Sequence, residues 1–252
     1  MNSDINLTSI IIPTYNGLHL LKTCIESIRT YTSEPYEIIV VDNASTDGTS
    51  QYCIREKITF VSLPVNMGFP KACNLGLAAA SGNRLLLLNN DVTVTANWLR
   101  NMTIALYSAA DIGLVGPVTN EASGIQKVEI EFQNKAEFQQ QAAVNNVSDP
   151  SRWREVKRVI GMCLLFTRDM MRNVGVLDEA FSPGHYEDDD YCYRIRAAGY
   201  RLIVCADVLV HHEGSASFKK HSTEDISELI DRNYRLFIHK WQVNPHQFIE
   251  EM

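Results

Sequence analysis

Between residues 9 and 99, short β-rich runs alternate with helical periods and clusters of turn formers. Ser9–Pro13 (SIIIP) is a continuous apolar run stopped by proline, the mark of a strand buried on both faces. Leu21, Cys24, Ile25 and Ile28 then recur at i, i+3, i+4 and i+7, one apolar helix face. Glu37–Val41 (EIIVV) is a second strand pattern, and it ends in the capping and turn residues Asp42 to Thr49. Thr59–Leu63 reads as a third strand, Lys71–Ala80 as a helix and Arg84–Leu88 as a fourth strand. Such alternation implies an α/β chain of right-handed βαβ units with a mostly parallel central sheet flanked by helices.

Downstream, a helix is predicted from Trp98 to about Ala109 and a strand over Ile112–Val118. Residues 119–157 are polar and glutamine-rich, with weak periodicity around Phe132 and Phe138, and read as an excursion folded against the sheet. Regular patterns return at Arg158–Phe166 and Met170–Val176. The acids Glu187 to Asp190 open a helix to about Ala198, and Tyr200–Cys205 and Val208–Val210 read as two short strands. A last helix is expected over Glu224–Trp241. Neither an internal repeat nor a linker interrupts the chain, so one domain with an appendage is expected.

A length of 252 residues, 45% hydrophobic, suffices for one sizeable core. The formal charge of −7 and the lack of a basic stripe exclude a nucleic-acid partner. The six cysteines stand apart, with no CxxC, which points to buried thiols and a reducing compartment. Met1–Leu7 is polar, without a signal-peptide apolar region. No apolar stretch nears the roughly 18–20 residues that span a bilayer. A cytoplasmic protein is expected, with peripheral association at a membrane face left open.

Asn89-Asn90-Asp91 closes the run Leu85–Leu88, placing a carboxylate at the sheet edge where open α/β sheets bind ligands. A divalent cation bridging to a diphosphate would compensate that charge; an Asx-turn is the structural alternative. Pro13-Thr14-Tyr15-Asn16-Gly17 lies between strand and helix, either exposing backbone groups to a base or phosphate or forming an ordinary turn. Asp42 stands where nucleotide-binding folds put an acid for the ribose, whereas Ser45 and Asp47 read as helix caps. No GxGxxG follows the first strand, which counts against a dehydrogenase.

Glu187-Asp188-Asp189-Asp190 suits a helix N-terminus, and Asp190 and Arg194 form an i, i+4 ion pair. Yet crowded acids beside Phe181, Tyr186, Tyr191 and Tyr193 are a setting in which one acid gains a raised pKa and serves as a base. His211 and His212 follow an apolar strand, so one of them can reach a metal. Imidazole suits manganese, cobalt or zinc better than magnesium.

Together these stretches resemble the family 2 glycosyltransferases. SIIIPTYNG (9–17), EIIVVDNASTDGT (37–49), NMGFPKACNLGL (66–77), LLLLNNDV (85–92), GVLDEAF (175–181), YEDDDYCYRIRAAGYR (186–201) and VHHEGSAS (210–217) follow the family's order. The resemblance implies the GT-A fold, with a Rossmann-like sheet. It also implies a nucleotide-sugar-binding half at about 8–118, an acceptor and catalytic half at about 158–216, and a helical tail over 217–252. It implies an inverting enzyme moving a sugar from a UDP- or dTDP-sugar donor to a glycan, lipid-linked glycan or protein acceptor, with Mn2+ or Mg2+ as cofactor. Pro13, Thr14, Tyr15 and Asp42 would border the nucleoside, with Lys71 and Asn74 nearby and Asn90 near the diphosphate. Asp91 would hold the metal with His211, the preferred histidine of the pair, and Asp188 would be the base. Glu187, Asp189, Asp190 and Trp153 would lie on the acceptor side, where the polar excursion at 119–157, by its composition, would form part of a lid or acceptor wall. Asparagines at 89 and 90 leave one carboxylate in the family's acidic triplet, so diphosphate oxygens and a histidine would complete the metal site. A sugar nucleotidyltransferase is the rival enzyme, but no glycine-rich basic loop lies between Ile12 and Ser27. A binding module that had lost its chemistry would lack Asp91 or Asp188, and both are present.

Overall fold

The computed structural model describes residues 7–214 and 223–249; expectations for residues 1–6, 215–222 and 250–252 lie outside them. Strand β1 (Thr8–Thr14) runs between β2 (Tyr36–Asp42) and β4 (Arg84–Leu88), parallel to both, and β3 (Thr59–Ser62) extends the parallel set beyond β2. Helices α1 (Leu18–Tyr31), α2 (Thr49–Arg55) and α3 (Phe69–Ala79) make the crossovers. Side chains on a strand alternate between faces. Ile10, Ile12, Val40, Leu86 and Leu88 therefore meet Leu21, Cys24, Ile25 and Ile28 of α1. Ile11, Val41, Leu85 and Leu87 meet Ala72, Cys73 and Leu77 of α3 on the other face. Helices on both faces are why these strands read as unbroken apolar runs.

Beyond β4 the sheet continues with β8 (Cys163–Thr167), antiparallel to both β4 and β6 (Ile112–Thr119), and then β9 (Arg201–His212), parallel to β6. Two short strands flank β9 on its antiparallel side: β7 (Trp153–Val156) along its first half and β5 (Val92–Thr93) at its last two residues. Helices α4 (Trp98–Leu106), α5 (Lys135–Asn145), α6 (Arg168–Val174), α7 (Glu187–Ala197) and α8 (Thr223–Trp241) complete the layers. No helix among the described residues is long and apolar enough to cross a membrane, and all six cysteines are free and buried.

Several expectations need correction. The excursion at 119–157 holds regular structure, the helix α5 and the strand β7. The two short strands expected at 200–210 are one strand, β9. Cys205 faces Pro117 while Leu209 faces Val118, so residues 206–208 bulge between them. Asp207 in that bulge is fully buried, accepting from the Asp149 amide (2.9 Å) and the Trp153 indole (3.0 Å). The run from Arg158 becomes strand only at Cys163.

Helix α8 docks through an aromatic cluster of Phe181, Phe237 and Phe248. Asn233 is fully buried, and its amide nitrogen lies 2.8 Å from the Phe181 and Gly184 carbonyls and 2.9 Å from that of His185. His185 and Tyr186 take left-handed φ values of 72° and 70°, a conformation costly for side chains other than glycine. Asn233 thus braces the turn that leads into the acidic helix α7.

Gly76 lets α3 lie close on the sheet. A Cβ there would fall 2.3 Å from Ile11 Cγ2 and 3.0 Å from Val41 Cγ2. Gly76→Ala is expected to destabilise the fold by ~1–3 kcal/mol, the usual scale of overpacking. Urea unfolding would show a lower midpoint at unchanged slope; an unchanged midpoint would refute the close contact.

Candidate active site

In the sheet order β3-β2-β1-β4, connections leave β1 in opposite directions, which opens a crevice at the carboxyl ends of β1 and β4. A cavity of about 350 Å³ lies there, lined by Pro13, Asn90 and Asp91 from the strand ends, Arg158 and Gly161 from the loop before β8, and Glu187, Asp188 and Asp189 from α7. Its size suits a small-molecule ligand. Asn90 donates to the Thr14 hydroxyl (2.8 Å) and so ties the ends of β4 and β1 together. Gly17 permits this approach, since a Cβ there would sit 2.6 Å from Asn90 Nδ2.

Asp91 is buried, and its Oδ1 lies 3.3 Å from His212 Nε2. The contact exists because β5, directly after Asp91, pairs Val92 with His212 and Thr93 with His211. His212 Nδ1 lies 2.9 Å from the Glu121 carbonyl oxygen, which only accepts, so Nδ1 carries a proton and Nε2 is the atom turned to Asp91. Burial lowers the His212 pKa, but the bond to Asp91, its charge and the Glu121 carbonyl together raise it above the ordinary value. His211, the preferred metal ligand on sequence grounds, faces the other way. Its ring packs at 5.4 Å from Phe132 and 5.0 Å from Phe138, because neighbouring strand residues point to opposite faces.

Neighbouring ligands of one ion with ~2.1 Å bonds stand about 3 Å apart. The 3.3 Å separation of Asp91 and His212 therefore fits two positions on one divalent cation. Among the described residues no third His, Cys, Asp or Glu joins them, so the remaining positions would fall to oxygens of a bound ligand.

The acids of α7 divide between two roles. Asp188 Oδ2 accepts from the Gly161 amide (2.8 Å), and Arg158 reaches Asp189 at 2.9 Å and Asp188 at 3.9 Å. Burial, followed by the charge of Asp188, pushes Asp189 up to about 7 against the pull of Arg158. Burial and Asp188 likewise push Glu187 well above the ordinary carboxylate range. Asp190, expected beside them, is fully buried elsewhere, bonded to Arg194 (2.8 Å), Lys240 (2.6 Å) and the Trp241 indole (2.9 Å). It anchors α8.

Other expected site residues serve the framework. Lys71 pairs with Glu179 (3.0 Å), and Asn74 exchanges hydrogen bonds with the Leu177 backbone (2.9 and 3.0 Å), so both fasten the 177–179 segment to α3. Trp153 is held by Asp207, outside the cavity lining. Asp42 uses both oxygens to close its own turn, on the Ser45 amide (2.9 Å) and the Ser50 hydroxyl (2.6 Å). Tyr15 is exposed and lies outside the cavity lining. Arg158 and His185 line the cavity although neither was singled out in the sequence. A lone arginine before an apolar run carries no signal until its distant acids are placed.

A mixed α/β sheet has an acid–imidazole pair at its switch point and an acid cluster across one cavity, the edge where open α/β sheets bind small ligands. The family model for Glycosyl transferase family 2 matches residues 9–171, and the chain belongs to that family. The glycosyltransferase AglE of Haloferax volcanii is 26% identical over 222 residues, 84% of this chain and 68% of that protein. A mannosyltransferase of Pyrobaculum calidifontis, solved with GDP-Man and Mn2+, superposes with a TM-score of 0.63 at 24% identity, over 83% of this chain and 57% of its own. GalNAc-T7, solved with UDP, GalNAc and Mn2+, gives 0.66 at 15% identity, over 84% and 44%. This chain thus spans roughly half the length of each solved neighbour.

Raised carboxylate pKa values make stability fall with pH. Glu187 and Asp189 bind protons in the folded state that the unfolded chain has released, so their contribution is complete below the unfolded values. It is lost as pH rises through the folded ones. Between pH 5 and 8 the melting temperature should therefore drop, and Glu187→Gln should flatten the drop. A Gln variant with the wild-type pH slope would remove Glu187 from this account.

Proposed function

We propose that the chain transfers a sugar from a UDP- or dTDP-sugar to an acceptor hydroxyl with inversion, by a single displacement with Asp188 as general base. One observation carries this reading: Asp91 with His212 and Asp188 with Arg158 line the same cavity. Pro13, Thr14 and Tyr15 would border the nucleoside, and Asn90 would stand near the diphosphate. Asp91 and His212 would hold a divalent cation, Mn2+ or Mg2+, together with diphosphate oxygens. The solved neighbours that bind Mn2+ support this choice. When bound, the cation neutralises charge gathering on the departing diphosphate.

The acceptor oxygen forms its bond to the anomeric carbon as the carbon–oxygen bond to the diphosphate breaks, the bonding pair leaving with the diphosphate. Asp188 takes the acceptor's proton. The Gly161 amide and Arg158 hold that carboxylate facing the cavity. Glu187 and Asp189, with their raised pKa values, limit the negative charge crowded around it. Acceptors of this chemistry are glycans, lipid-linked glycans and protein hydroxyls, met in the cytoplasm or at the membrane's inner face.

Nucleoside diphosphates should raise the melting temperature, as ligands of the folded state do, and manganese should enlarge the effect. Asp91→Ala should abolish the manganese-dependent part, read by calorimetric titration; unchanged affinity would sink the metal assignment. Asp188→Asn should bind donor normally yet transfer sugar at least ~100-fold more slowly, the scale of general-base loss. Turnover near that of the unmodified enzyme would move the role to Asp189.

A further inference from the structure

One wall of the cavity comes from a part of the chain that the family match does not reach. That match ends at residue 171, whereas Ile230 of α8 and His246 and Ile249 of the turn after it line the same space as Asp188. The wall is firmly seated through the Phe181, Phe237 and Phe248 cluster and through Lys240 and Trp241 on Asp190. His246 Nε2 meets the Tyr186 hydroxyl at 3.1 Å, and its ring packs, tilted by 32°, against Tyr234 with centroids 5.1 Å apart. Ile230 and Ile249 are each 37% exposed, apolar surface that a bound molecule would remove from water.

The strand-end residues that fit a nucleotide are on other elements, and the acids that fit a hydroxyl open α7 directly after Tyr186, whose hydroxyl meets this wall at His246. A molecule whose hydroxyl reaches Asp188 therefore has α8 and the following turn among its surroundings. We propose that this C-terminal wall selects the acceptor. The acceptor is a glycoside whose reactive hydroxyl meets Asp188, whose sugar ring hydrogen-bonds the His246–Tyr186 pair, and whose apolar aglycone or substituent covers Ile230 and Ile249. The assignment rests on the transferase reading above, and it explains how a shared donor fold is matched to a particular acceptor by residues outside the family match.

The test compares phenyl and methyl glycosides of the same monosaccharides as acceptors, using the purified chain, manganese and the nucleotide sugar it cleaves. The unmodified protein should favour the phenyl glycoside in kcat/KM by about tenfold, the discrimination an added apolar group earns in an apolar site. Ile230→Asp and Ile249→Asp should bring the ratio to within about twofold of unity, mainly through acceptor KM. Ile230→Ala and Ile249→Ala should give intermediate ratios. His246→Ala should raise KM for both glycosides alike. Calorimetric affinity for the nucleoside diphosphate verifies that each variant is folded. Equal use of the two glycosides by the unmodified protein, or a preference that survives both Asp substitutions, would overturn the assignment. Failure of the unmodified protein to bind any nucleoside diphosphate or cleave any donor is a different result, which overturns the transferase reading and this assignment with it.

Discussion

A carboxylate delivered to the end of an all-apolar strand must find an opposite charge or a donor, and much of this architecture follows from how Asp91 finds one. The chain turns immediately after Asp91 into the two-residue strand β5, which pairs with the last two residues of β9. That pairing carries His212 to within 3.3 Å of the acid and closes the Glu213 amide on the Asp91 carbonyl at 3.1 Å. Strand β9 is therefore long, pairing with β7 along its first half and with β5 at its last two residues. The bulge at 206–208 resets its register on the way. The first half of the chain is thereby joined to the second at the point where both bring chemistry.

On the opposite side of the cavity the electrostatic problem is reversed. Three buried carboxylates, Glu187, Asp188 and Asp189, crowd the start of a helix with one half-buried arginine, Arg158, paired to two of them. The helix dipole favours acids there, but one cation cannot neutralise three. The strain is relieved by proton retention on Glu187 and Asp189. An arrangement that lowers stability at alkaline pH persists where it serves chemistry.

Strands β1 to β4 and helices α1 and α3 were legible in the sequence because a sheet covered on both faces writes continuous apolar runs, and its helices write a 3.6-residue period. Asp91 and the acids of α7 were legible as candidates for the same reason: charge next to apolar runs stands out. What could not be read is pairing across long separations. Lys71 meets Glu179 108 residues away, Trp153 meets Asp207 54 away, and Asp190 meets Lys240 50 away. Each looked like a site residue until its partner was placed. Strand alternation says that one of His211 and His212 faces Asp91. Only the location of Phe132 and Phe138 tells which.

The bracing of the 181–186 turn by Asn233 has a consequence for synthesis. Synthesis runs from the N-terminus, so the segments of β1 to β4 are made well before α7 and α8. The left-handed backbone at His185 and Tyr186 has no such early support. Its carbonyls wait for an amide 48 residues downstream of His185, and until α8 has emerged the acids of α7 lack their fixed approach to the cavity. Strands β1 to β4 can thus be complete before the turn into α7 is braced, because that turn waits for Asn233.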